Sequence, residues 1–547
     1  MKRTLAIIII IVVALFWLIN RPSQEVISIP EEEYLIIGDM AFMENRPVVL
    51  EDNHIYISFN AIKEGLDPYI FYDGNEKILI ITNEEQVIRF KIDEKLATIN
   101  HREFYIDNTI KIIDGQVYIP DEILKNYYSV GINYFEDTKS IVLDKDNFNP
   151  TKGDIIVEGG HLRLSPNKKS PIVLKSLPLE TKFIVFEDYE NWYKIRTENG
   201  ILGYMEKKYI KLDYKKDNTK VSSEKTWDNR EKINLTWDYT HGKMSEIGEI
   251  NDIEGINILS PTWFSIMDVE GNIFDKGNPK YVKEYQALGY EIWPLIDNSF
   301  DPDLTHDLLS SSNTRENLIR HISSIYREYN ANGINIDFEN IYIKDKDLLT
   351  QFIRELYPVF KEMNMIVSMD ISPVSTSENW SLSYDRQELS KTVDYLMLMA
   401  YDQHWSTSPV AGSVAEYSWV EDSIVGVLEE IPREKLILGI PFYTRLWKIE
   451  RDANGEQISS QALSMESAQE FIEENNIELE WDENSGQYYG EIEIENIVYK
   501  IWLENKDSIK LKSTLVNKYN LAGIASWRKG FETEDIWQVL SSIVKYN

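Results

Sequence analysis

The residues best suited to chemistry lie in one short stretch, residues 332–339, which reads Asn-Gly-Ile-Asn-Ile-Asp-Phe-Glu. Polar and apolar side chains alternate in it, which is typical of a β-strand with two different faces. Asn335, Asp337 and Glu339 are therefore predicted to point the same way. Two carboxylates this close on one face repel each other, so at least one should hold its proton to an unusually high pH.

Helical patterns at roughly residues 315–330 and 345–363 flank this strand. A helix–strand–helix order indicates a parallel strand inside an α/β sheet or barrel. In such folds the carboxyl end of a strand carries the chemistry, and Glu339 lies at that end. A solvated sheet face is the alternative, but the flanking residues do not continue the alternation as a hairpin would.

The stretch resembles the signature strand of the family 18 glycoside hydrolases, Asp-Gly-x-Asp-x-Asp-x-Glu. The resemblance implies that Glu339 is the general acid and that Asp337 is the Asp beside it. Asn332 and Asn335 depart from the pattern, since Asp is usual at both positions. Similar Asn-for-Asp patterns occur in the peptidoglycan and spore-cortex-lytic branch of the family.

The region around this stretch, residues 231–547, alternates strand-like and helical runs. Eight strand–helix units over about 310 residues fit a (β/α)₈ barrel better than an open sheet. A β-rich segment at about residues 448–510 resembles the small α+β insertion that family 18 enzymes commonly carry between the seventh and eighth strands. The eight candidate strands are residues 233–237, 255–260, 291–296, 333–339, 366–371, 395–400, 436–440 and 523–527.

Further site residues follow from the same resemblance. Tyr401 and Asp402, within Met-Ala-Tyr-Asp, match the family's Met-x-Tyr-Asp on the sixth strand, and the continuation Gln-His-Trp to Trp405 resembles the cortex-lytic branch. Trp527 matches the tryptophan that floors the sugar site. Asp402, Trp405, Trp527 and Asn335 are assigned to substrate binding. The alternatives are core or capping roles for Tyr401 and Asp402, and a core role for Trp527.

The resemblance also implies a mechanism that needs no metal and no cofactor. Glu339 protonates the leaving oxygen, and the substrate's own N-acetyl group attacks the anomeric carbon, an exception to the usual carboxylate nucleophile. Asp337 holds the acetamido nitrogen and Tyr401 its oxygen. Because Asn335 replaces a carboxylate, Asp337 is expected to stay ionised and to accept a hydrogen bond from Asn335. Burial and Asp337 should then raise the pKa of Glu339.

Composition sets outer limits. The 547 residues include 57 Lys+Arg and 91 Asp+Glu, a net charge of −34, which argues against nucleic acid as a partner. The absence of cysteine excludes disulfides, thiolate metal sites and a cysteine nucleophile. His404 has no second histidine or cysteine at a ligand spacing, so no metal site is predicted.

The N-terminal residues predict export. Lys2 and Arg3 precede an apolar run over residues 5–19, about 22 Å of helix against a hydrocarbon core of roughly 30 Å. That length suits a signal peptide, but bulky and charged residues stand where small residues should mark a cleavage site. An uncleaved anchor within residues 1–21, using residues 4–20, is therefore favoured over a cleaved signal, and the remainder is expected outside the membrane.

Two modules precede the barrel. Residues 34–148 contain an internal repeat with an offset of 62 residues, as from Ile55 to Val117, which marks a duplicated α+β unit. It resembles the copper amine oxidase N-terminal-like domain, although His54 and His101 have no ligand spacing and no copper is implied. Residues 152–213 resemble a small β-barrel, the bacterial Src-homology-3-like domain. Trp192 and Tyr204 there are candidates either for a wall-binding platform or for the core.

A charged segment, residues 214–230, reads as a linker between the modules and the barrel. Three functions stay open. The first is an exported peptidoglycan or spore-cortex N-acetylglucosaminidase that is wall-associated through residues 152–213. The second is a chitinase with the same chemistry on a different polymer. The third is a catalytically weak sugar-binding protein, which Asn335 keeps open.

Overall fold

The computed structural model describes residues 21–28, 30–213, 232–243, 250, 252–452 and 455–544. The expected anchor at residues 4–20 and the linker at residues 214–230 lie outside these ranges. Within the described ranges, no helix is both long and apolar enough to cross a bilayer. The chain divides into two compact units.

The duplicated module follows the predicted order of strand, strand, helix, strand, strand in both copies. The second strands of the two copies pair antiparallel, with Ile57 opposite Ile119, so the copies meet edge to edge. Ser58 caps the first helix through its side chain, whereas Pro120 takes the equivalent position without a side-chain bond. The first copy comprises Val48–Glu51, His54–Ser58, helix Phe59–Gly65, Phe71–Asp73 and Ile78–Thr82, and the second Lys111–Ile113, Gln116–Pro120, helix Asp121–Tyr128, Val130–Phe135 and Ser140–Lys145. Further strands are Tyr34–Ile37, Met40–Phe42, Val87–Lys91, Leu96–Ile99 and Arg102–Tyr105.

The next module is a single seven-stranded antiparallel sheet curled around its own apolar core. Trp192 is buried, which agrees with the core alternative, and Tyr204 is half-buried with its ring edge-on to Tyr189 at 5.5 Å. The strands are Thr151–Ile155, Leu162–Arg163, Ile172–Leu174, Lys182–Tyr189, Trp192–Thr197, Leu202–Glu206 and Ile210–Asp213, with a 3₁₀ turn at Lys207–Tyr209.

The C-terminal unit contains the predicted eight-stranded parallel barrel. The eighth strand pairs with both the seventh and the first, which closes the sheet. The barrel strands are β1 Ile233–Asp238, β2 Ile258–Ile266, β3 Leu295–Asp297, β4 Gly333–Asp337, β5 Ile366–Ile371, β6 Tyr395–Met399, β7 Leu436–Pro441 and β8 Gly523–Trp527. Their inward side chains, among them Leu235, Trp237, Leu295, Met397 and Ala525, form one buried cluster.

The observed strands differ from the predicted ones by more than one residue at three places. Strand β2 begins later and runs longer than expected, and it pairs with the short antiparallel strand Ile273–Asp275. The predicted strand 291–296 is interrupted between Glu291–Ile292 and β3, where Pro294 has no N–H to donate to a ladder. Strand β4 ends at Asp337 rather than at Glu339.

Several helices around the barrel begin at side-chain caps. Asp301 accepts hydrogen bonds from two backbone N–H groups, and Asn505 forms a reciprocal capping box with Ser508. The helices are Pro279–Ala287, Pro302–Ser310, Ser312–Tyr329, Lys346–Glu362, Arg386–Thr392, Tyr417–Val427, Lys506–Lys518 and Asp535–Val544, with short turns at Ile343–Asp345, Glu378–Leu382 and Arg433–Lys435.

The insertion between β7 and β8 is a five-stranded antiparallel sheet with one helix, Met465–Glu474. It begins at Tyr443, five residues earlier than the expected position 448. Glu495 and Asn496, both with positive φ, form the tight turn of its last hairpin. Its strands are Tyr443–Asp452, Gly455–Ser464, Glu480–Asp482, Gln487–Ile494 and Ile497–Leu503.

Candidate active site

Strand β4 directs Asn335 and Asp337 into the barrel. Asn335 is in register with the core residue Leu295, and Asp337 is in register with Asp297 on β3. Glu339 follows two residues beyond the end of the strand. Its backbone N–H donates to Asn298 Oδ1 at 3.1 Å, and Asn298 Nδ2 donates to its carbonyl at 2.8 Å. The backbone of Glu339 is thus fixed at the carboxyl end of the barrel.

Asp337 is a buried carboxyl group with few hydrogen-bond donors. Its side chain is 8% exposed, and its Oδ1 has no hydrogen-bond partner among the described residues. Burial, reinforced by the negative charges of Glu339, Asp370 and Asp297, raises its pKa well above the ordinary value. The expectation that Asp337 stays ionised is therefore wrong for the free site, because burial disfavours its charged form and the neighbouring carboxylates add to that effect.

Glu339 has the pKa of a group that can act as an acid near neutrality. Burial raises its pKa to about 7, helped by the negative charges of Asp402 and Asp297. Burial was predicted to raise the pKa of Glu339, and it does. The charge that was predicted to raise it further was that of Asp337, whereas the charges that do so are those of Asp402 and Asp297. Below pH 7 the carboxyl group is mainly protonated and can donate its proton.

Asn335 is fully buried, and its hydrogen bonds differ from the predicted ones. Its Oδ1 accepts from Trp237 Nε1 at 2.7 Å and from Ser260 Oγ at 3.2 Å. Its Nδ2 donates to Asp370 Oδ1 at 2.7 Å, not to Asp337. The predicted bond to Asp337 is therefore wrong. The Asn335 amide instead reaches the carboxylate of Asp370, which lies on the adjacent strand β5.

Tyr401 follows β6 and packs against the barrel core. Its ring lies edge-on to Trp237 and to Tyr443, each at 6.5 Å between centroids. Burial and the charges of Asp370 and Asp337 raise the pKa of its hydroxyl well above the ordinary value. The hydroxyl therefore keeps its proton and remains a hydrogen-bond donor.

Asp402 is held by the insertion. Its Oδ1 accepts from the Tyr443 hydroxyl at 2.5 Å and from Arg445 Nη2 at 2.9 Å. Both donors lie on the first insertion strand, so that strand orients the acidic residue after β6. The backbone of Asp402 adopts a positive φ of 57°, a conformation that aspartate tolerates better than most residues.

The two tryptophans assigned to substrate binding differ in their surroundings. Trp527 is half-buried at the end of β8, with its ring 5.9 Å from Trp237 and 6.4 Å from Tyr239 between centroids. Trp405 is 51% exposed on the loop after β6, and its indole N–H donates to Thr407 Oγ1 at 3.1 Å. Trp527 therefore joins the aromatic group at the barrel mouth, whereas Trp405 lies in the more exposed loop.

His404 contacts backbone rather than other candidate ligands. Its Nδ1 lies 2.8 Å from the carbonyl of Ser413, to which it donates. In the part of the chain that the structure describes, no three histidine, aspartate or glutamate side chains are grouped so as to hold a metal ion.

Several residues of this site did not emerge from the sequence. Asp297 and Asp370 carry carboxylates that act on Asp337, and both lie at the carboxyl ends of predicted strands, where a systematic search would have found them. Tyr384 also escaped notice; its hydroxyl donates to the carbonyl of Phe338 at 2.7 Å. Tyr443 and Arg445 had no local signal, because only the folded insertion brings them to Asp402.

Three family models match this chain. Residues 303–531 match Glycosyl hydrolases family 18, residues 36–143 match the copper amine oxidase N-terminal domain, and residues 158–211 match the bacterial SH3 domain. The resemblances described for the barrel and for both preceding modules are thereby confirmed.

Two of the curated relatives come from Bacillus subtilis (strain 168). The uncharacterized glycosylase YvbX is 22% identical over 319 residues, which cover 56% of this chain and 90% of that protein. The cortical fragment-lytic enzyme is 26% identical over 251 residues, covering 45% of this chain and 58% of that protein. The chain thus spans only about half the length of the lytic relative.

A solved structure shows the same fold. The spore cortex-lytic enzyme SleL of Bacillus megaterium QM B1551 superimposes with a TM-score of 0.52 at 18% identity, covering 59% of this chain and 76% of that chain. The model for Glycosyl hydrolases family 18 thus matches most of a closed parallel barrel in the C-terminal part of this chain.

Proposed function

We propose that this chain is an extracytoplasmic glycoside hydrolase that cleaves β-linked N-acetylglucosamine in peptidoglycan or spore cortex by a substrate-assisted, retaining mechanism. The observation that carries the proposal is Glu339, a largely buried acid with a pKa of about 7 at the carboxyl end of β4. Asp337 is the last residue of β4, two positions before Glu339. The family match and the cortical fragment-lytic relative support the reaction type and the polymer.

In the proposed reaction Glu339 gives its proton to the glycosidic oxygen as the bond to the anomeric carbon breaks. The carbonyl oxygen of the substrate's 2-acetamido group attacks that carbon from the other side and forms a cyclic oxazolinium intermediate. Asp337 accepts the acetamido N–H and offsets its growing positive charge. Glu339, now ionised, removes a proton from water, and the water opens the ring with net retention.

The remaining site residues orient the sugar. The protonated hydroxyl of Tyr401 donates to the acetamido oxygen, and Asp402, held by Tyr443 and Arg445, accepts from a sugar hydroxyl. The flat face of Trp527 suits the C–H face of a pyranose ring. Trp405, on its exposed loop, contacts a more distant part of the glycan, and Asn335 contributes by fixing the buried acids.

We expect kcat/KM to fall on the alkaline side with a midpoint near pH 7. Glu339 must be protonated to start the reaction, and kcat/KM reports the pKa values of the free enzyme. Above pH 7 the value should drop about tenfold per pH unit. The measurement is kcat/KM on a chromogenic N,N′-diacetylchitobioside between pH 4 and pH 9, and a profile that stays flat up to pH 9 would remove Glu339 from the acid role.

The substrate is tested by digesting purified peptidoglycan and chitin side by side and identifying the products by mass spectrometry. Fragments of peptidoglycan that end in reducing N-acetylglucosamine support the proposal. Faster release from chitin would favour the chitinase alternative. Binding of either polymer without hydrolysis would leave only the sugar-binding alternative.

We place the wall contact in residues 152–213 and the membrane contact in residues 4–20. An anchor held by burial of apolar side chains should keep the chain with the membrane fraction after a high-salt wash, since salt weakens only charge interactions. The measurement is salt-washed fractionation followed by N-terminal sequencing. A mature chain that starts beyond Asn20 would show a cleaved signal peptide instead.

A further inference from the structure

We infer that Asp370, on β5, is the proton partner of Asp337 and replaces the carboxylate that Asn335 lacks. Asp370 would be a positioning residue, since it acts on the substrate only through Asp337. This inference rests on the proposed function, in which Asp337 accepts the acetamido N–H. To accept it, Asp337 must first give up the proton that it holds in the free site.

Strand register brings the two carboxylates together. Asn335 and Ile336 of β4 are opposite Ser368 and Met369 of β5, so the next step of the ladder sets Asp337 beside Asp370. On its other side, Asp370 is in register with Met397, an inward-facing core residue of β6. Asp370 is 1% exposed, so its carboxyl group lies inside the barrel and not at the surface.

The hydrogen bonds decide which acid holds the proton. Burial raises the pKa of Asp370 well above the ordinary value, as it does for Asp337. Asp370, however, accepts an N–H bond from Asn335 at 2.7 Å, and this donor favours the ionised form of Asp370 relative to Asp337. Asp297 also has donors, Ser265 Oγ and the backbone N–H of Ser299, each at 2.8 Å. Asp337 has an oxygen without any donor among the described residues. We therefore assign the shared proton of the free site to Asp337, and we assign to Asp370, whose charge acts on Asp337, the role of the carboxylate that can take it.

The charge of Lys276 lowers the pKa of Asp297, but no cation among the described residues acts in this way on Asp337 or Asp370. Among the described residues, neither lysine nor arginine forms an ion pair with Asp297, Asp337 or Asp370, and Arg445 is engaged by Asp402. A proton is then the remaining way to lower the charge of several buried carboxyl groups. The titratable groups that interact electrostatically with Asp370 are Asp337 on β4, Glu339 beyond its end, Tyr384 after β5 and Tyr401 after β6.

The proton moves in one balanced step. When the acetamido group enters, the Asp337 O–H bond breaks and a new O–H bond forms on Asp370. Asp337 becomes the carboxylate that accepts the acetamido N–H, and the total number of protons in the site does not change. After the product leaves, the proton returns to Asp337.

The test exchanges the two side chains. Asp370→Asn keeps the size and a hydrogen bond to Asn335 but removes the proton acceptor, so kcat should fall about a hundredfold, with KM changed by less than a factor of about two. The double variant Asn335→Asp/Asp370→Asn moves the carboxylate back to β4 and should regain at least about tenfold of that loss. Asn335→Asp alone is the matched control. Thermal unfolding of the full chain verifies that each variant is folded.

Calorimetry gives a readout that does not need turnover. Binding of N,N′-diacetylchitobiose to the wild-type chain at pH 6 should release almost no proton, measured in two buffers with different ionisation heats. In Asp370→Asn the displaced proton has no internal acceptor, so up to about one proton should be released per sugar bound.

The outcomes separate the two proposals. The role of Asp370 would be overturned, and the proposed function left in place, by either of two results. One is that Asp370→Asn has the kcat and the proton release of the wild type. The other is that the folded double variant has a kcat no higher than that of Asp370→Asn. A wild-type chain that neither cleaves nor binds N-acetylated sugars would overturn the proposed function, and this inference with it.

Discussion

Replacing Glu339 by glutamine should lower kcat by a factor of about 10² to 10⁴ on either polymer, which is the usual contribution of a general acid. The amide has the same shape as the carboxyl group but cannot protonate the leaving oxygen or activate water. The hydrogen bonds that fix this position involve its backbone and Asn298, so they survive the substitution. The measurement is the initial rate of release of reducing ends by the full chain.

The matched control is Glu434→Gln. Glu434 is exposed in the short turn before β7, at the opposite end of the barrel strands from the site. The same loss of one negative charge should leave kcat unchanged there. If Glu339→Gln keeps near-wild-type activity, the signature strand has been misassigned and another acid must serve.

Glu339→Gln should also be more stable than the wild type at alkaline pH. Glu339 has a folded-state pKa of about 7, raised from an ordinary 4.5, so the folded state disfavours its ionised form. The wild type therefore loses stability as pH rises from about 4.5 to 7, by up to about 3 kcal/mol. Glutamine has no such loss. The stability difference should vanish near pH 4, and a variant that is destabilised at pH 8 would contradict this account.

The parts of the site that were predictable are those encoded by neighbouring residues. The alternation at Asn335, Asp337 and Glu339 is a local pattern, and it identified the strand and its inward face. The eight strands of the barrel were also predictable, since a closed parallel barrel repeats one strand–helix unit. Their ends were less predictable, because the end of a strand depends on partners such as Asn298, which engages the backbone of Glu339.

The parts that were not predictable depend on register between strands. Nothing near Asn335 in the sequence indicates that its amide reaches Asp370, 35 positions later. The substitution of Asn for the usual Asp looked like the loss of a carboxylate. The register of β4 and β5 instead brings Asp370 to the same place from the adjacent strand. The pKa expected for Asp337 was wrong chiefly because the side chain is buried, with the charges of Glu339 and Asp370 adding to that effect.

The orientation of Asp402 was also not predictable from its neighbours in the sequence, because it depends on the insertion. Tyr443 and Arg445 lie at the beginning of an antiparallel strand, and their local sequence matches no functional motif. Their contact with Asp402 exists only because that strand leaves β7 beside the loop after β6. The orientation of a site residue can thus come from a segment whose own sequence has no functional motif.

A buried ion pair also supports the loop after β6. It joins Lys512 to Glu504, and both side chains are 0% exposed. Gln487 Nε2 donates to Glu504 Oε1 at 2.8 Å, and Gln487 Oε1 accepts from Ser413 Oγ. Ser413 belongs to the loop that follows Tyr401 and Asp402. The pair therefore links the helix Lys506–Lys518 to the loop through one continuous set of buried hydrogen bonds.

Lys512→Met should destabilise the barrel by about 3–5 kcal/mol, because it leaves the Glu504 carboxylate buried without a counter-ion. The matched control is Lys518→Met on the same helix, whose partner Glu421 is at the surface; with 53% and 21% of the two side chains exposed, its loss should cost at most about 1 kcal/mol. Scanning calorimetry of the full chain should show a transition lowered by roughly 10 °C for Lys512→Met and by no more than about 3 °C for the control.

The double variant Lys512→Met/Glu504→Gln distinguishes an unpaired charge from lost packing. It removes the buried carboxylate as well as the cation, and the neutral amide introduced in place of the carboxylate can still accept from Gln487, so most of the lost stability should return. If the double variant is as unstable as Lys512→Met, the helix is held by the lysine stem and not by charge. If Lys512→Met costs no more than the surface control, the pair is solvated in solution, and the loop behind Asp402 must be fixed by Trp447, whose indole N–H donates to the Gly412 carbonyl at 2.8 Å.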